Sequence, residues 1–160
     1  KKWEEEYGYW LAPYTDNTTI RVGFMISVAI GSVMSYYRVF PREDIKDMII
    51  RAVDDLIENC MLGCGVFYYK ELPSLQRLGN NTLLLESLAI AYELTGDVKY
   101  LKPGIKTFDK TIDSKAATTN GAKKIVDDAV ICAGASTKGF AQSFIPVITY
   151  YKALSENGLY

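Results

Sequence analysis

Residues 80–101, NNTLLLESLAIAYELTGDVKYL, decide the fold because they encode a buried helix, a tight turn and the start of a second helix. Residues 83–94 contain no helix breaker, and only Glu86, Ser87 and Glu93 among them are polar. Apolar side chains therefore point in almost all directions around this segment, which predicts an inner helix covered on several sides. The polar residues 80–82 are suited to capping its first turn.

The turn after this helix predicts how the chain continues. Gly96 suits the left-handed position after a helix end, and Asp97 is a favourable first residue for capping the next helix. Apolar residues then recur every three or four positions, which predicts an outer helix with one apolar face and one solvated face: Val98, Leu101, Ile105, Phe108 and Ile112.

The preceding segment predicts a similar pair of helices. Residues 22–37 form an apolar run that is shorter than the about 20 residues needed to cross a bilayer. Small residues recur at every fourth position of this run and predict close packing against another helix, in a core rather than in a membrane: Gly23, Ser27, Gly31 and Ser35. Pro41 opens a second helix, whose apolar stripe extends from Ile45 to Cys60.

The last third of the chain predicts a third, weaker pair. An inner helix is expected from Ile125, Val126, Ala129, Val130 and Ala133. A final stripe from Phe140 to Leu154 is interrupted by Pro146, which we expect to kink the helix. The sequence therefore predicts an all-α fold, an array of three antiparallel helical hairpins in which inner and outer helices alternate.

Composition excludes several functional classes. With 18 basic and 19 acidic residues, the chain has no electrostatic signature of nucleic-acid binding. It has no histidine, which excludes any triad or zinc site that requires imidazole. Cys60, Cys64 and Cys132 have no framework spacing and are expected to be buried small residues or free thiols. We expect no cofactor, no metal and no membrane partner.

The connections predict where a ligand would bind. If inner and outer helices alternate in direction, the long segments entering the inner helices, residues 3–19, 61–81 and 114–123, lie at one end. Aromatic rings beside amides and carboxylates are suited to sugars, which need an apolar surface and many hydrogen-bond partners. The candidate substrate-binding residues at this end are Trp10, Tyr14, Arg21, Tyr68, Tyr69, Arg77 and Asn80.

Two carboxylates in these connectors are the candidates for acid and base chemistry. Asp16 and Glu71 lie in different loops at the same predicted end and could flank a glycosidic bond. In a purely structural interpretation, Arg21 or Arg77 pairs with one of these acids and the tyrosines belong to the core.

Residues 84–101, LLESLAIAYELTGDVKYL, resemble the hairpins of the (α/α) toroid superfamily, the six-hairpin glycosidases and helical polysaccharide lyases. The resemblance implies polysaccharide processing in a cleft at the long-loop end. Such toroids hold about six hairpins, so residues 1–160 are expected to be a single helical domain and part of a longer protein. The partner that completes the toroid would be a second copy of the chain or a missing N-terminal domain. Tetratricopeptide arrays share the turn motif, and a protein-interaction scaffold without catalytic activity is the alternative.

Overall fold

The structure, a computed structural model, describes residues 12–13, 19–62, 65–68, 78–112, 123–126, 129–132 and 137–160. Side chains are described for residues 21–62, 65–68, 81–109, 111–112 and 141–160, and only the backbone for the others.

The described residues are predominantly helical, as the sequence predicted. The α-helices in this part of the chain are α1 (Gly23–Val39), α2 (Glu43–Cys60), α3 (Leu78–Thr95), α4 (Ile105–Ile112) and α5 (Thr137–Glu156). Two short antiparallel pairs of strands accompany them: β1 (Ala12–Pro13) with β2 (Thr19–Ile20), and β3 (Lys123–Val126) with β4 (Ala129–Cys132).

Helices α1 and α3 run parallel to each other. Ser27 near the start of α1 hydrogen-bonds to Ser87 of α3 at 2.6 Å, and Arg38 near the end of α1 pairs with Glu93 at 2.8 Å. Residue numbers therefore increase in the same direction along both helices.

Three of the four small residues predicted for close packing lie in the interface between α1 and α3: Gly23 and Ser27 are buried, and Gly31 lies against Glu86. The fourth, Ser35, is exposed and donates to the Gly31 carbonyl of its own helix.

Helix α5 also runs parallel to α3, on its other side. Thr82 in α3 hydrogen-bonds to Ser143 in α5 at 2.7 Å. Further along both helices, Leu88 and Tyr150 approach each other at Gly104. The helices α1, α3 and α5 thus form a layer of parallel helices, which we call the inner layer, with α3 in the middle.

Helices α2 and α4 run in the opposite direction to the inner layer. Arg21, just before α1, pairs with Asp55 near the end of α2. Gly104, just before α4, contacts Leu88 halfway along α3, and Thr107 donates to the carbonyl of Gly65 in the segment that precedes α3. The two predicted hairpins, α1 with α2 and α3 with α4, are therefore present.

The core is centred on α3, which confirms its prediction as an inner helix. Its buried apolar residues are Leu84, Leu85, Leu88, Ala89, Ile90 and Ala91. Complete burial of one leucine side chain stabilises a fold by about 2 kcal/mol, so this helix contributes much of the hydrophobic driving force.

The third predicted hairpin is wrong. Residues 123–126 and 129–132 form antiparallel strands, with Val126 paired to Ala129, instead of an inner helix. β-Branched residues such as Ile125, Val126 and Val130 lose less side-chain freedom in strands than in helices, so the apolar pattern is satisfied by a β-hairpin. The final stripe forms α5, which occupies an inner position beside α3 and continues through Pro146 as a single helix.

The turn after α3 is partly as predicted. Gly96 has a φ of 70°, the left-handed conformation, and the Asp97 side chain accepts from the Lys99 amide at 2.9 Å. The predicted continuous outer helix is instead divided into two 3₁₀ turns, Val98–Tyr100 and Lys102–Gly104, followed by α4. Pro103 cannot donate an amide hydrogen bond, which accounts for the interruption.

Candidate functional site

The starts of the parallel inner helices lie at one end of the molecule. We call this the entry end and define it by Arg21 and Val22 before α1, by residues 65–68, and by the first turns of α3 (residues 78–82). Because α5 is parallel to α3, its first turn points in the same direction. The positive ends of three helix dipoles therefore share this direction, an arrangement that favours carboxylates, sulfates and polar groups.

An ion pair fixes the segment before α1 on helix α2. Arg21 donates through Nε and Nη2 to the two carboxylate oxygens of Asp55, at 2.9 and 3.0 Å. The two side chains are only 12% and 10% exposed, and Asn59 donates to the same carboxylate at 2.8 Å. This two-point contact orients the guanidinium group and anchors the start of α1.

Asn81 fixes the connecting segment between α2 and α3. This buried side chain accepts from the Phe67 amide and donates to the Phe67 carbonyl at 3.1 Å, the bonding pattern of a neighbouring strand. The next amide, that of Tyr68, donates to the Cys60 carbonyl at 2.8 Å. The backbone leading to Tyr68 is therefore held between the end of α2 and the start of α3.

Tyr68 lies beside the start of α1. Its carbonyl oxygen is 3.4 Å from the position that a Cβ atom would occupy at Gly23, so the chain passes close to the backbone of α1. The Tyr68 side chain is half-buried. The structure thus brings Arg21 and Tyr68, which the sequence suggested as binding residues, to the same end of the molecule.

The other suggested residues lie beyond what the structure describes. Trp10, Tyr14, Asp16, Tyr69, Glu71 and Arg77 are outside the described residues. Asn80 lies in the first turn of α3, with its side chain not described. Its helix begins at Leu78, two residues before the predicted cap, so Asn81 and Thr82 are helical residues with tertiary partners instead of helix caps.

Among the described residues, the acidic partner of Arg21 is Asp55 of α2. Asp16 and Glu71, the partners considered in the sequence, lie outside the described residues. As a charged residue, Asp55 does not belong to the apolar stripe predicted for α2, and sequence reasoning did not select it as a candidate. Only the approach of the segment before α1 to the end of α2 makes this acid a structural anchor.

Sequence reasoning did not single out Glu86 as a functional candidate. Its Oε1 atom is 3.7 Å from the position of a Cβ at Gly31, so the carboxyl group lies against the glycine of α1. Burial raises the pKa of Glu86 above its ordinary value, and the nearby positive charge of Arg38 partly opposes this rise. A carboxyl group with a raised pKa can donate a proton or a hydrogen bond at higher pH than an ordinary glutamate.

The groove between α1 and α3 also carries a second acid. Glu93 pairs with Arg38, and both side chains are about half exposed. Glu86 and Glu93 lie two turns apart on α3. This groove is polar, whereas Gly23 and Ser27, nearer the start of α1, are buried.

Comparisons of the chain with protein-family models, with curated proteins and with solved structures found no match. Among the described residues, no group of three or more histidine, cysteine, aspartate or glutamate side chains is arranged to hold a metal ion. None of the helices in the described ranges is long and apolar enough to span a membrane.

Proposed function

We propose that this chain binds a glycan at the entry end, as one arc of an (α/α) toroid. The single observation that supports the proposal is the parallel direction of α1, α3 and α5, because the chain enters neighbouring parallel helices from the same end. In the sequence, the segments that precede α1 and α3 carry the aromatic and amide side chains suited to sugar rings.

The described part of the site has the rigidity that such binding needs. Asp55 orients Arg21, and Asn81 holds the backbone next to Tyr68, so little conformational entropy is lost when a ligand binds. In this proposal Tyr68 stacks on a sugar ring, with Trp10 as a second aromatic surface. If the chain also catalyses cleavage, Asp16 and Glu71 are the proposed acid and base.

A glycan array followed by calorimetric titration tests the proposal. We expect Tyr68→Ala and Trp10→Ala each to weaken binding about tenfold, which corresponds to about 1.4 kcal/mol. Tyr36→Ala is the matched control, because Tyr36 is a half-exposed aromatic residue near the opposite end of α1. The absence of glycan binding by the folded chain, or equal losses in all three variants, would contradict the proposal.

A second candidate function, a protein-interaction scaffold, is favoured by a different observation. Met25, Val28 and Val39 on α1 are apolar and at least half exposed, and exposed apolar side chains on inner helices are suited to holding a peptide. A protein partner whose binding is lost in Val28→Asp and retained in Tyr68→Ala would favour the scaffold over the glycan-binding domain.

A further inference from the structure

One turn of helix α4, residues 106–109, contacts two parts of the molecule that are distant in the chain. Its first two residues contact Gly65 in the segment that connects α2 to α3. Its last two residues contact Tyr160, which follows the end of α5. We call residues 157–160 the turn after α5. A single turn of α4 therefore joins this turn to the entry end.

The contacts with Gly65 fix the connecting segment on α4. Thr107 donates to the Gly65 carbonyl at 2.9 Å, and this bond is buried. A Cβ atom at Gly65 would lie 2.5 Å from the Cδ atom of Lys106, so the lysine chain lies directly on the glycine backbone. Gly65 also has a φ of 79°, a conformation that favours glycine. The backbone that leads to Tyr68 therefore starts from a position that α4 determines.

The contacts with Tyr160 hold the other part of the same helical turn. The Tyr160 hydroxyl donates to the Asp109 carboxylate at 2.7 Å, and its ring lies edge-on to the ring of Phe108, with the centroids 5.0 Å apart. The hydrogen bond to Asp109 raises the pKa of Tyr160, so the hydroxyl retains the proton that it donates. Phe108 also stacks on Tyr151 of α5. Tyr160 therefore ties α4 to the end of α5.

The turn after α5 is itself fixed by backbone hydrogen bonds. Gly158 has a φ of 64°, the left-handed conformation that ends many helices. The Leu159 amide donates to the Leu154 carbonyl at 3.0 Å, and the Gly158 amide donates to the Ser155 carbonyl at 3.1 Å. Leu159 packs against the hydrophobic core. These contacts hold the backbone that carries Tyr160.

We propose that the turn after α5 holds the connecting segment in place through α4, so that Tyr160 and Asp109 are positioning residues for Tyr68. Helix α4 has only eight residues, and an isolated helix of this length is unstable in water, so its position depends on tertiary contacts. Coupling between distant sites is carried by such continuous packing and hydrogen bonding. The coupling does not depend on glycan binding, and only its consequence for a ligand rests on the proposed function.

Amide hydrogen exchange of the 160-residue chain, measured by NMR, tests the coupling without a ligand. The reporter amides are those of Phe67 and Tyr68, which donate to Asn81 and to the Cys60 carbonyl. We expect Tyr160→Ala to accelerate exchange at both reporter amides about tenfold, because the ring contact and the hydrogen bond are lost together. Tyr160→Phe keeps the ring and should accelerate it about threefold.

Two further variants are the controls. Tyr36→Ala is matched to Tyr160→Ala, because Tyr36 is 50% exposed, Tyr160 is 51% exposed, and Tyr36 also lies against an aromatic ring, that of Phe40. It should leave exchange at the reporter amides unchanged. Asp109→Asn keeps an oxygen acceptor for the Tyr160 hydroxyl and should stay within about twofold of the wild type. Unchanged exchange at the reporter amides in Tyr160→Ala, or an equal acceleration throughout α1, would overturn the proposal.

A double variant tests whether α4 transmits the effect. Thr107→Val removes the hydroxyl that donates to the Gly65 carbonyl and keeps the shape of the side chain. In this background, Tyr160→Ala should accelerate exchange at the reporter amides by less than about threefold, since the path through α4 is already interrupted. An acceleration as large as in the wild-type background would show that the turn after α5 acts independently of α4 and would overturn the proposal.

Discussion

The two interfaces of helix α3 in the inner layer are built differently. In its interface with α1, small residues of α1 contact α3. Ser27 donates to the Leu83 carbonyl at 2.6 Å, and Gly31 leaves space for the Glu86 carboxyl group. Its interface with α5 contains the large ring of Tyr150, whose hydroxyl donates to the Leu101 carbonyl.

The difference lies in where the glycine is placed. In the α1 interface Gly31 belongs to one of the two packed helices, and atoms of Glu86 are its nearest neighbours, at 3.7 Å or more from a Cβ position. In the α5 interface Gly104 belongs to the turn before α4, where a Cβ would be 2.6 Å from the Tyr150 hydroxyl and 2.7 Å from Leu88. The comparison predicts that the structure tolerates added volume at Gly31 and not at Gly104.

The largest effect is expected at Gly104. Gly104→Ala places a methyl group against Tyr150 and Leu88, which are both fully buried, and should lower the free energy of unfolding by about 2 to 3 kcal/mol. Urea unfolding measures the change. Because the two sites are in contact, the double variant Gly104→Ala, Tyr150→Phe should lose less than the sum of the single variants. Full additivity would mean that the side chains do not meet.

The next effect is expected at Tyr150. Tyr150→Phe removes the hydroxyl and leaves the buried Leu101 carbonyl without this donor, which should cost about 1 to 2 kcal/mol in urea unfolding. Tyr151→Phe is the control, since Tyr151 is partly exposed and packs through its ring on Phe108. It should change stability by less than about 0.5 kcal/mol. Equal losses would show that the Tyr150 hydroxyl has no special role.

A smaller and pH-dependent effect is expected at Glu86. Because its folded-state pKa is raised above the ordinary 4.5, the folded protein holds this proton more tightly than the unfolded chain. The favourable contribution of the protonated group is complete below pH 4.5 and is lost as pH rises through the folded-state pKa. Glu86→Gln, which remains neutral, should therefore match the wild type below pH 4.5 and exceed it in melting temperature at higher pH.

Glu93→Gln is the control for the pH dependence at Glu86. The wild-type Glu93 carboxylate is about half exposed and pairs with Arg38, so its removal should lower the free energy of unfolding by at most about 1 kcal/mol. The two variants on α3 should thus change the melting temperature in opposite directions at neutral pH. A lower melting temperature for Glu86→Gln would show that attraction to Arg38 outweighs burial.

The smallest effect is expected at Gly31. Gly31→Ala adds a methyl group with no atom closer than 3.7 Å and replaces a poor helix former by the best one, so stability should increase by up to about 1 kcal/mol. Thermal unfolding monitored by circular dichroism measures the gain. If Gly31→Ala is as destabilising as Gly104→Ala, the space around the two glycines does not differ and the comparison fails.

The entry end could be predicted only in part. Tyr68 and Arg21 were accessible to sequence reasoning because aromatic and charged residues beside a helix start are visible in the chain. Asp55 and Asn81 were not, since their roles come from contacts with Arg21 and with the Phe67 backbone, which lie 34 and 14 positions away. Glu86 was only one of the three polar residues of the predicted inner helix, and its partial burial arises from the approach of α1 at Gly31.

The sequence by itself determined the two helical hairpins, because unbroken apolar periodicity, Gly96 and Asp97 are local signals that act over a few residues. It also determined that α3 is buried, since almost every side of that helix is apolar. Only the tertiary structure decided that residues 123–126 pair with residues 129–132 as strands and that α5 enters the inner layer. Short apolar runs satisfy helix and strand equally well in isolation, and the choice between them depends on neighbours distant in the chain.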